Sequence, residues 1–368
     1  WHQRRVLFVT FPVGTEKVKG SNVNENVVLK NLFLVYFYLR NVSKAMSKVK
    51  VSIVMPAYNA AQWIGEAIAS VQAQNLTEWE LIVINDGSAD ATASIIDEYA
   101  RHDSRIVAIH QQNMGVAATR QKGVLMAHGQ YLIHVDSDDW LEPDYLSLMY
   151  QAATLHNADM VWCDICVNDN GKWSFKCAEN TDVMIKSILE QKIWGSLCNR
   201  LFRTSICQAS NIHFPPNCSM WEDMAFAVQC LTQCERIVYV PKALYHYRQV
   251  SSSLVHSQSD KDISAEYRKA IDYIEQFFDK MGITNNYRTE LRGLQLFALR
   301  DFIDDKRFMD YDKFLRTYPA AIEHIWEYDV PMRLKLSALL LQNNMKWAVP
   351  IVCKIDAILR RLGISKQI

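Results

Sequence analysis

Short apolar runs alternate with helix-periodic segments along the chain from residue 49 onward. The runs at 51–55, 80–84 and 131–135 are rich in apolar and β-branched residues, as buried strands are. Between the first two, the segment 60–74 places its apolar residues on one helical face. Fully apolar strands that alternate with helices predict an α/β domain, with a mostly parallel sheet sandwiched by helices.

Beyond about Gly171 the pattern becomes mixed, and from about Ile263 onward only helical periodicity is present. The segments 236–240 and 243–248 predict two further strands, and the segment 222–233 predicts a helix. We therefore expect an α/β domain over residues 46–256 and a helical C-terminal region over residues 257–368.

The first 45 residues do not fit this pattern. Their apolar stretch at 31–39 is too short to span a bilayer as a helix. Met46 comes just before the first clear strand, so our hypothesis is that it is the natural start. Residues 1–45 would then be an upstream extension or a non-native leader, and a signal anchor is the alternative.

Charge and cysteine content exclude some classes of partner. Lys plus Arg and Asp plus Glu number 40 each, so no overall field attracts nucleic acid, and an anionic ligand needs a local site. The nine cysteines are scattered and lack paired metal-binding spacing. This pattern predicts that the cysteines are packing residues and that the protein resides in the reducing cytoplasm.

Polar residues close three of the predicted strands, at 56–59, 85–88 and 136–139. Ligands of parallel α/β sheets bind beyond the carboxyl ends of the strands, so these three segments predict a ligand site at one rim. Ordinary turn chemistry is the alternative for any one of them.

Three aspartates, Asp136, Asp138 and Asp139, form the most informative of these segments. Like charges this close repel each other, so a positive partner is expected among them. A divalent cation that shares a phosphorylated ligand would supply it. The alternative is a solvated acidic turn in which Asp138 or Asp139 caps the next helix.

Six blocks, taken in order, resemble the family-two inverting glycosyltransferases, which use nucleotide sugars and have the GT-A fold. The blocks span more than half of the chain and lie at residues 51–59, 85–92, 113–120, 136–139, 221–223 and 244–248. One departure is Asn85, which stands where the family commonly has an aspartate.

The resemblance implies a donor site and a metal site at the predicted rim. The loop after the first strand would cradle the nucleoside, Asp86 would read the nucleobase, usually uracil, and Asp138 would bind Mn²⁺ or Mg²⁺ at the diphosphate. A histidine completes the metal shell in some relatives, which points to His246, although a core histidine is the alternative. The implied nucleotide-sugar residues are Pro56, Ala57, Tyr58, Asn59, Asp86, Arg120, Asp136 and Ser137.

The resemblance also implies catalytic and acceptor residues. Asp223 would be the general base that an inverting displacement needs, with Glu222 orienting it or holding the acceptor. Without the resemblance, this pair is equally consistent with favourable charge at a helix N-terminus. Four further residues are implied as acceptor contacts: Asp139, Trp194, Arg200 and Arg248.

Residues 331–368 carry seven basic residues against one acidic residue, Asp356, interleaved with apolar positions. A basic amphipathic tail is typical of proteins that bind anionic membrane surfaces. A helix that packs its apolar face on the rest of the protein is the alternative. The resemblance favours the membrane, because many family acceptors in bacterial surface polysaccharide assembly are lipid-linked.

Together these features predict a metal-dependent glycosyltransferase that moves a hexose or N-acetylhexosamine from a UDP-sugar to a glycan or lipid-linked acceptor. We expect a cytoplasmic enzyme, peripheral at the inner face of the cell membrane if the tail binds lipid. One alternative is a nucleotidyltransferase-like enzyme, which would favour a glycine-rich phosphate loop. The other is a non-catalytic carbohydrate-binding relative, against which Asp138 and Asp223 argue.

Overall fold

The computed structural model describes residues 49–167, 180–249, 263–304 and 309–362, and the backbone of residues 171–173. All of them belong to one compact unit, residues 48–368. The described residues do not include residues 1–45, the predicted domain boundary near 256–262 or the last six residues of the tail. The hypothesis about residues 1–45 therefore lies outside them.

Nine strands in the described part of the chain form a single sheet. They are β1 (Val51–Ala57), β2 (Trp79–Asp86), β3 (Ile106–Gln111), β4 (Tyr131–His134), β5 (Trp140–Leu141), β6 (Met160–Val167), β7 (Gly171–Trp173), β8 (Arg200–Arg203) and β9 (Ile237–Tyr247).

The strand order is β3-β2-β1-β4-β8-β6-β9-β5, with β7 paired to β6. The first four strands are parallel, as predicted, and the register places Ala57 beside Asn85 and Val54 beside His134. The second half is mixed, because β8 is antiparallel to both β4 and β6, whereas β9 is parallel to β6. The α/β sheet is thus confirmed, and its parallel part is the half that carries the predicted rim.

The two strands predicted at 236–240 and 243–248 are one continuous strand, β9. Cys163 of β6 pairs with Val240, and the next residue, Asp164, pairs with Ala243, so Pro241 and its neighbour bulge out of the ladder. Proline has no N–H to donate to a ladder, which accounts for a bulge at this point. The apparent break in the sequence is therefore a bulge within one strand.

Helices cover both faces of the sheet. In the described residues they are α1 (Ile64–Gln72), α2 (Thr92–His102), α3 (Val116–Met126), α4 (Tyr145–Leu155), α5 (Thr181–Leu189), α6 (Thr204–Cys207), α7 (Glu222–Leu231), α8 (Ile263–Met281), α9 (Arg288–Ala298), α10 (Asp301–Asp304), α11 (Tyr311–Thr317), α12 (Pro319–Glu323), α13 (Met332–Gln342) and α14 (Val349–Arg361).

Two hydrophobic cores lie on the two sides of the sheet. Alternate residues of β1 supply both, with Ile53 in the core under α1 and α4 and Val54 in the core that contains α3 and α7. The second core also contains Ile274 and Phe278 of α8 and continues through the later helices. The C-terminal helices therefore share a core with α7, the helix that begins with the predicted catalytic residues.

Candidate active site at the carboxyl edge of the sheet

The loops that follow β1 and β2 are joined by hydrogen bonds. The N–H of Asn59 donates to Ser88 Oγ (2.9 Å), and the N–H of Ala89 donates to Asn59 Oδ1 (2.9 Å). Asn59 has a φ of 49°, a left-handed conformation that asparagine tolerates better than most residues. The side chain of Asn59 thus fixes the loop, while its neighbour Tyr58 is 54% exposed at the rim.

Pro56 and Ala57 form the last two positions of β1, where they pair with Ile84 and Asn85 of β2. Ala57 is buried and Pro56 is partly buried. Of the predicted nucleoside loop, Tyr58 therefore offers an exposed side chain that a ligand could contact.

Asp86 ends β2 and is almost completely buried. Its Oδ1 accepts hydrogen bonds from Gln111 Nε2 (2.8 Å) and the N–H of Met114 (2.8 Å), and its Oδ2 accepts one from the N–H of Gly115 (2.9 Å). Asp86 thereby holds the loop after β3 against the end of β2. Its reading of a nucleobase stays a prediction.

Strand β9 holds the acidic turn in place. Tyr245 accepts a hydrogen bond from the N–H of Asp136 (3.2 Å) and donates one to Asp139 Oδ2 (2.5 Å), while the N–H of Arg248 donates to Asp139 Oδ1 (2.8 Å). Asp139 is only 1% exposed, and both of its oxygens are engaged. This position gives Asp139 a structural role and does not support its predicted contact with an acceptor.

Asp136, Ser137 and Asp138 remain partly exposed in the same turn. Burial raises the pKa of Asp138 to about 6, and the charge of Asp136 adds to the rise. The pKa of Asp139 is also raised well above its usual value, first by burial and then by the other two carboxylates. Bringing a cation to the turn would relieve this repulsion.

Arg120 joins the acidic turn to the predicted catalytic residues. It lies on α3, is almost completely buried, and donates to Asp136 Oδ1 (2.7 Å) and to Glu222 Oε1. Burial alone would lower the pKa of Arg120, but the charges of Asp136, Glu222 and Asp223 outweigh it and raise that pKa. The end of β4 and the start of α7 are therefore held within the span of one guanidinium group.

Glu222 and Asp223 are the first two residues of α7. Burial raises the pKa of Glu222 to about 7, against the opposing effect of the Arg120 charge. Burial also raises the pKa of Asp223, while Arg120 and the N–H of Met224 oppose the rise. Asp223 is the more exposed of the two carboxylates and Glu222 is held by Arg120, so Asp223 is the better placed to take a proton.

Trp221, immediately before α7, has a φ of 61°, which is rare for a bulky side chain. Its ring stacks on Tyr267 of α8 (centroids 4.0 Å apart) and lies near Phe297 of α9 (5.8 Å). The C-terminal helices thus hold the start of α7. The sequence predicted only helical periodicity from about Ile263 onward, and it gave no sign of this contact, because the sequence does not report the φ angle of Trp221.

Arg248 follows β9 and is enclosed by two aromatic rings. Its guanidinium lies 4.2 Å from the ring centroid of Trp63 and 4.6 Å from that of Trp140. It also donates to Glu66 Oε2 (2.6 Å) and to the main-chain oxygen of Asp138 (3.0 Å). Arg248 therefore fastens the acidic turn to α1, and its predicted acceptor contact stays a prediction.

His246 lies on β9 opposite Trp140 of β5, and the two rings stack with centroids 4.8 Å apart. Its Nε2 is 2.8 Å from Glu142 Oε1. These contacts suit the core-histidine alternative, and metal ligation by His246 stays a prediction.

The remaining predicted acceptor residues lie beside α7. Trp194 is partly buried and packs edge-on against Tyr247 (5.1 Å). Arg200 is fully buried and donates to the main-chain oxygens of Trp194 and Ser196. Burial lowers the pKa of Arg200 to about 10, although charges such as that of Asp223 oppose the change. Arg200 thus stiffens a loop, and its position does not support direct contact with an acceptor.

The acidic turn is the part of the site whose side chains could hold a cation. Within the described residues, no group of three or more His, Cys, Asp and Glu side chains is arranged to hold a metal ion. Mg²⁺ commonly binds through one or two carboxylates and completes its shell with substrate phosphates and water. Asp136 and Asp138 fit a cation of that kind, shared with a phosphorylated ligand.

Comparison with known proteins identifies the family. Residues 52–219 match the family described as Glycosyl transferase family 2. EpsH of Bacillus subtilis, assigned as a glycosyltransferase, is 31% identical over 273 residues, which cover 66% of this chain and 79% of that protein. The chain belongs to glycosyl transferase family 2.

One further relative and one solved structure extend the comparison. Glycosyltransferase GlyG of Streptococcus pneumoniae is 26% identical over 78% of this chain and 95% of its own length. The crystal structure of S. aureus TarS 1–349 in complex with UDP-GlcNAc has a TM-score of 0.63 at 18% identity, covering 86% of this chain and 92% of that one. The predicted class of enzyme and the predicted fold are confirmed.

Proposed function

We propose that the protein transfers a hexose or N-acetylhexosamine from a UDP-sugar to a glycan or lipid-linked acceptor, with inversion and with Mn²⁺ or Mg²⁺ as cofactor. The observation that carries the proposal is the double ion pair of Arg120, which joins Asp136 of the acidic turn to Glu222 beside the proposed base. The complex of TarS with UDP-GlcNAc supports the choice of a UDP-linked donor.

The donor would lie along the carboxyl edge of β1, β2 and β4. Tyr58 offers an exposed ring for the nucleoside, and Asp136 and Asp138 would hold the cation at the diphosphate. When bound, a divalent cation neutralises the negative charge that develops on a departing nucleoside diphosphate. The protein's own contribution is to fix the main chain that carries these carboxylates, through Tyr245 at the N–H of Asp136 and Arg248 at the main-chain oxygen of Asp138.

The acceptor hydroxyl would be activated by Asp223. As the oxygen attacks the anomeric carbon, its proton passes to the Asp223 carboxylate, and the bond to the nucleoside diphosphate breaks. A raised pKa makes Asp223 a stronger base than an exposed aspartate. Glu222, tied to Arg120, would orient this base.

We further propose that the enzyme works in surface polysaccharide synthesis, in the cytoplasm and peripheral to the inner face of the membrane. The family relatives EpsH and GlyG support the class of enzyme, and the basic C-terminal helices support the location. No helix in the described parts of the chain is both long and apolar enough to cross a bilayer.

Two substitutions test the proposal. We expect Asp138→Ala to abolish Mn²⁺-dependent binding of UDP-sugars, measured by calorimetry. We expect Asp223→Asn to retain binding but to lose turnover by about 10²–10⁴-fold, the usual contribution of a general base. Asp97→Asn, an exposed aspartate on α2, is the matched control and should change neither quantity.

The product distinguishes the alternatives. A glycosyltransferase releases a nucleoside diphosphate from the donor, whereas a nucleotidyltransferase releases or consumes pyrophosphate. Full turnover in Asp223→Asn, or no metal-dependent binding of any nucleotide sugar to the unaltered protein, would contradict the proposal.

A further inference from the structure

Helix α14, the last described helix, exposes a narrow apolar stripe. Ile351, Ile355, Ile358 and Leu362 are spaced four, three and four residues apart, which places them on one face. Their side chains are between 48% and 65% exposed. Trp347, four residues before the first of them in a short 3₁₀ turn (Lys346–Ala348), is 70% exposed. We call these five residues the α14 stripe.

The opposite face of α14 is fastened to the protein. Asp356 accepts a hydrogen bond from Arg333 of α13 (3.1 Å) and is paired with Arg360 (2.7 Å), and Val349 is fully buried. Arg333 also pairs with Asp304 of α10 (3.0 Å). Because these contacts fix the rotation of α14, the α14 stripe faces outward as part of the folded structure.

Basic residues flank the α14 stripe on one side. Lys354 and Arg361 each follow a stripe isoleucine by three residues, so they lie next to the stripe around the helix, and both are exposed. From residue 331 to residue 362 the only acidic residue is Asp356, which is engaged on the packed face. The surface thus combines exposed aliphatic residues, a tryptophan and positive charge.

We propose that the α14 stripe inserts into the surface of an anionic bilayer, with Lys354 and Arg361 at the lipid phosphates. This composition and geometry are those of helices that lie in the plane of a membrane interface. A second copy of the chain fits less well, because an antiparallel two-fold pairing of the stripes would bring the flanking positive charges of both copies together.

The inference deepens the proposed peripheral location and rests on it for its biological purpose, since a lipid-linked acceptor would lie at that surface. It assigns the contact to one helix face. Membrane binding and sugar transfer are separate measurements, so one can fail without the other.

Flotation of the full chain with vesicles tests the surface. The vesicles are phosphatidylcholine alone, or phosphatidylcholine with about 30% phosphatidylglycerol to supply a negative surface potential. We expect strong binding only to the anionic vesicles. Ile355→Ser/Ile358→Ser and Lys354→Glu/Arg361→Glu should each weaken that binding by roughly 10-fold or more.

Matched controls change exposed residues of the same type elsewhere. Leu125→Ser/Leu155→Ser alters two exposed leucines on α3 and α4, and Arg101→Glu/Lys280→Glu reverses two exposed charges on α2 and α8. Both controls should float like the unaltered chain. All variants should hydrolyse a UDP-sugar at the same rate in solution, because none touches the proposed active site.

Three results would overturn the inference. One is equal recovery of the unaltered chain with neutral and anionic vesicles, and another is unchanged binding of the stripe variants. The third is a dimer in sedimentation that the stripe variants abolish, which would assign the surface to a second copy. If the unaltered chain bound anionic vesicles but did not turn over a UDP-sugar, that result would count against the proposed function alone.

Discussion

A methyl group added at Gly195 should disturb the proposed base without touching the donor site. The Cβ of an alanine there would lie 2.7 Å from the Cβ of Met224 and 3.1 Å from its Cα. Ordinary contacts at a Cβ begin near 3.4 Å, so the Met224 Cβ would have to retreat by roughly 0.7 Å and its Cα by roughly 0.3 Å. Met224 follows Asp223 directly, so the start of α7 would move.

The size of the effect follows from this displacement. Overpacking of a rigid site costs about 1–3 kcal/mol of the free energy of unfolding. A shift of a few tenths of an ångström in the base should lower kcat by about 10-fold, since a full 1 Å costs on the order of 10²-fold. The KM for the donor should hardly change, because Asp136 and Asp138 follow β4 and are not displaced. Steady-state kinetics and thermal unfolding of Gly195→Ala measure both quantities.

Two other glycines provide controls. An alanine at Gly129 would bring its Cβ within 2.5 Å of the Ser52 main-chain nitrogen, at the end of β1 remote from the rim. Gly129→Ala should therefore lose stability but retain kcat. Gly293 in α9 has open space around it, so Gly293→Ala should gain up to about 1 kcal/mol of stability with kcat unchanged. Equal kcat losses in Gly195→Ala and Gly129→Ala, or none in Gly195→Ala, would refute the reasoning.

Two further predictions concern charge. Arg120→Met should lower the free energy of unfolding by about 3–5 kcal/mol, because it leaves Glu222 buried without its cation. A free energy of unfolding within about 1 kcal/mol of the unaltered protein, measured by denaturant melt, would be the contrary result. At constant metal, kcat should be full above the pKa of Asp223 and fall as the pH drops through it. Because burial raises that pKa, the fall in kcat should begin at a higher pH than for an exposed aspartate. A kcat that stays constant down to pH ~4 would argue against Asp223 as the base.

The parallel half of the fold and the position of the rim could be predicted from the sequence. Apolar runs that each end in polar residues predict both the parallel strands and the rim, since the carboxyl ends of such strands meet at one edge of the sheet. The family blocks include both Asp136 and Glu222, and in the structure both residues contact Arg120. These features depend on local pattern or on short motifs, which a single sequence displays directly.

The contacts that hold the site could not be predicted in the same way. Whether Asp139 faces a ligand or the interior depends on Tyr245 and Arg248, more than 100 positions later along the chain. Arg200 looked available for an acceptor, yet its guanidinium satisfies main-chain oxygens of its own loop. Such partners are determined by strand pairing across the sheet, and no periodicity in the sequence reports them.

The ring of Trp221 stacks on Tyr267 and Phe297, which lie late in the chain. The proposed active site therefore becomes complete only after the C-terminal helices have been synthesised. Every residue proposed to hold the donor precedes position 140, and during synthesis these strands leave the ribosome well before α8 and α9. Arg120 holds Glu222 from the earlier part of the chain, but the start of α7 acquires its aromatic support only when those later helices dock. A shortened chain that ended before them would retain the donor-binding strands but would lack the aromatic contacts of Trp221 that support the start of α7.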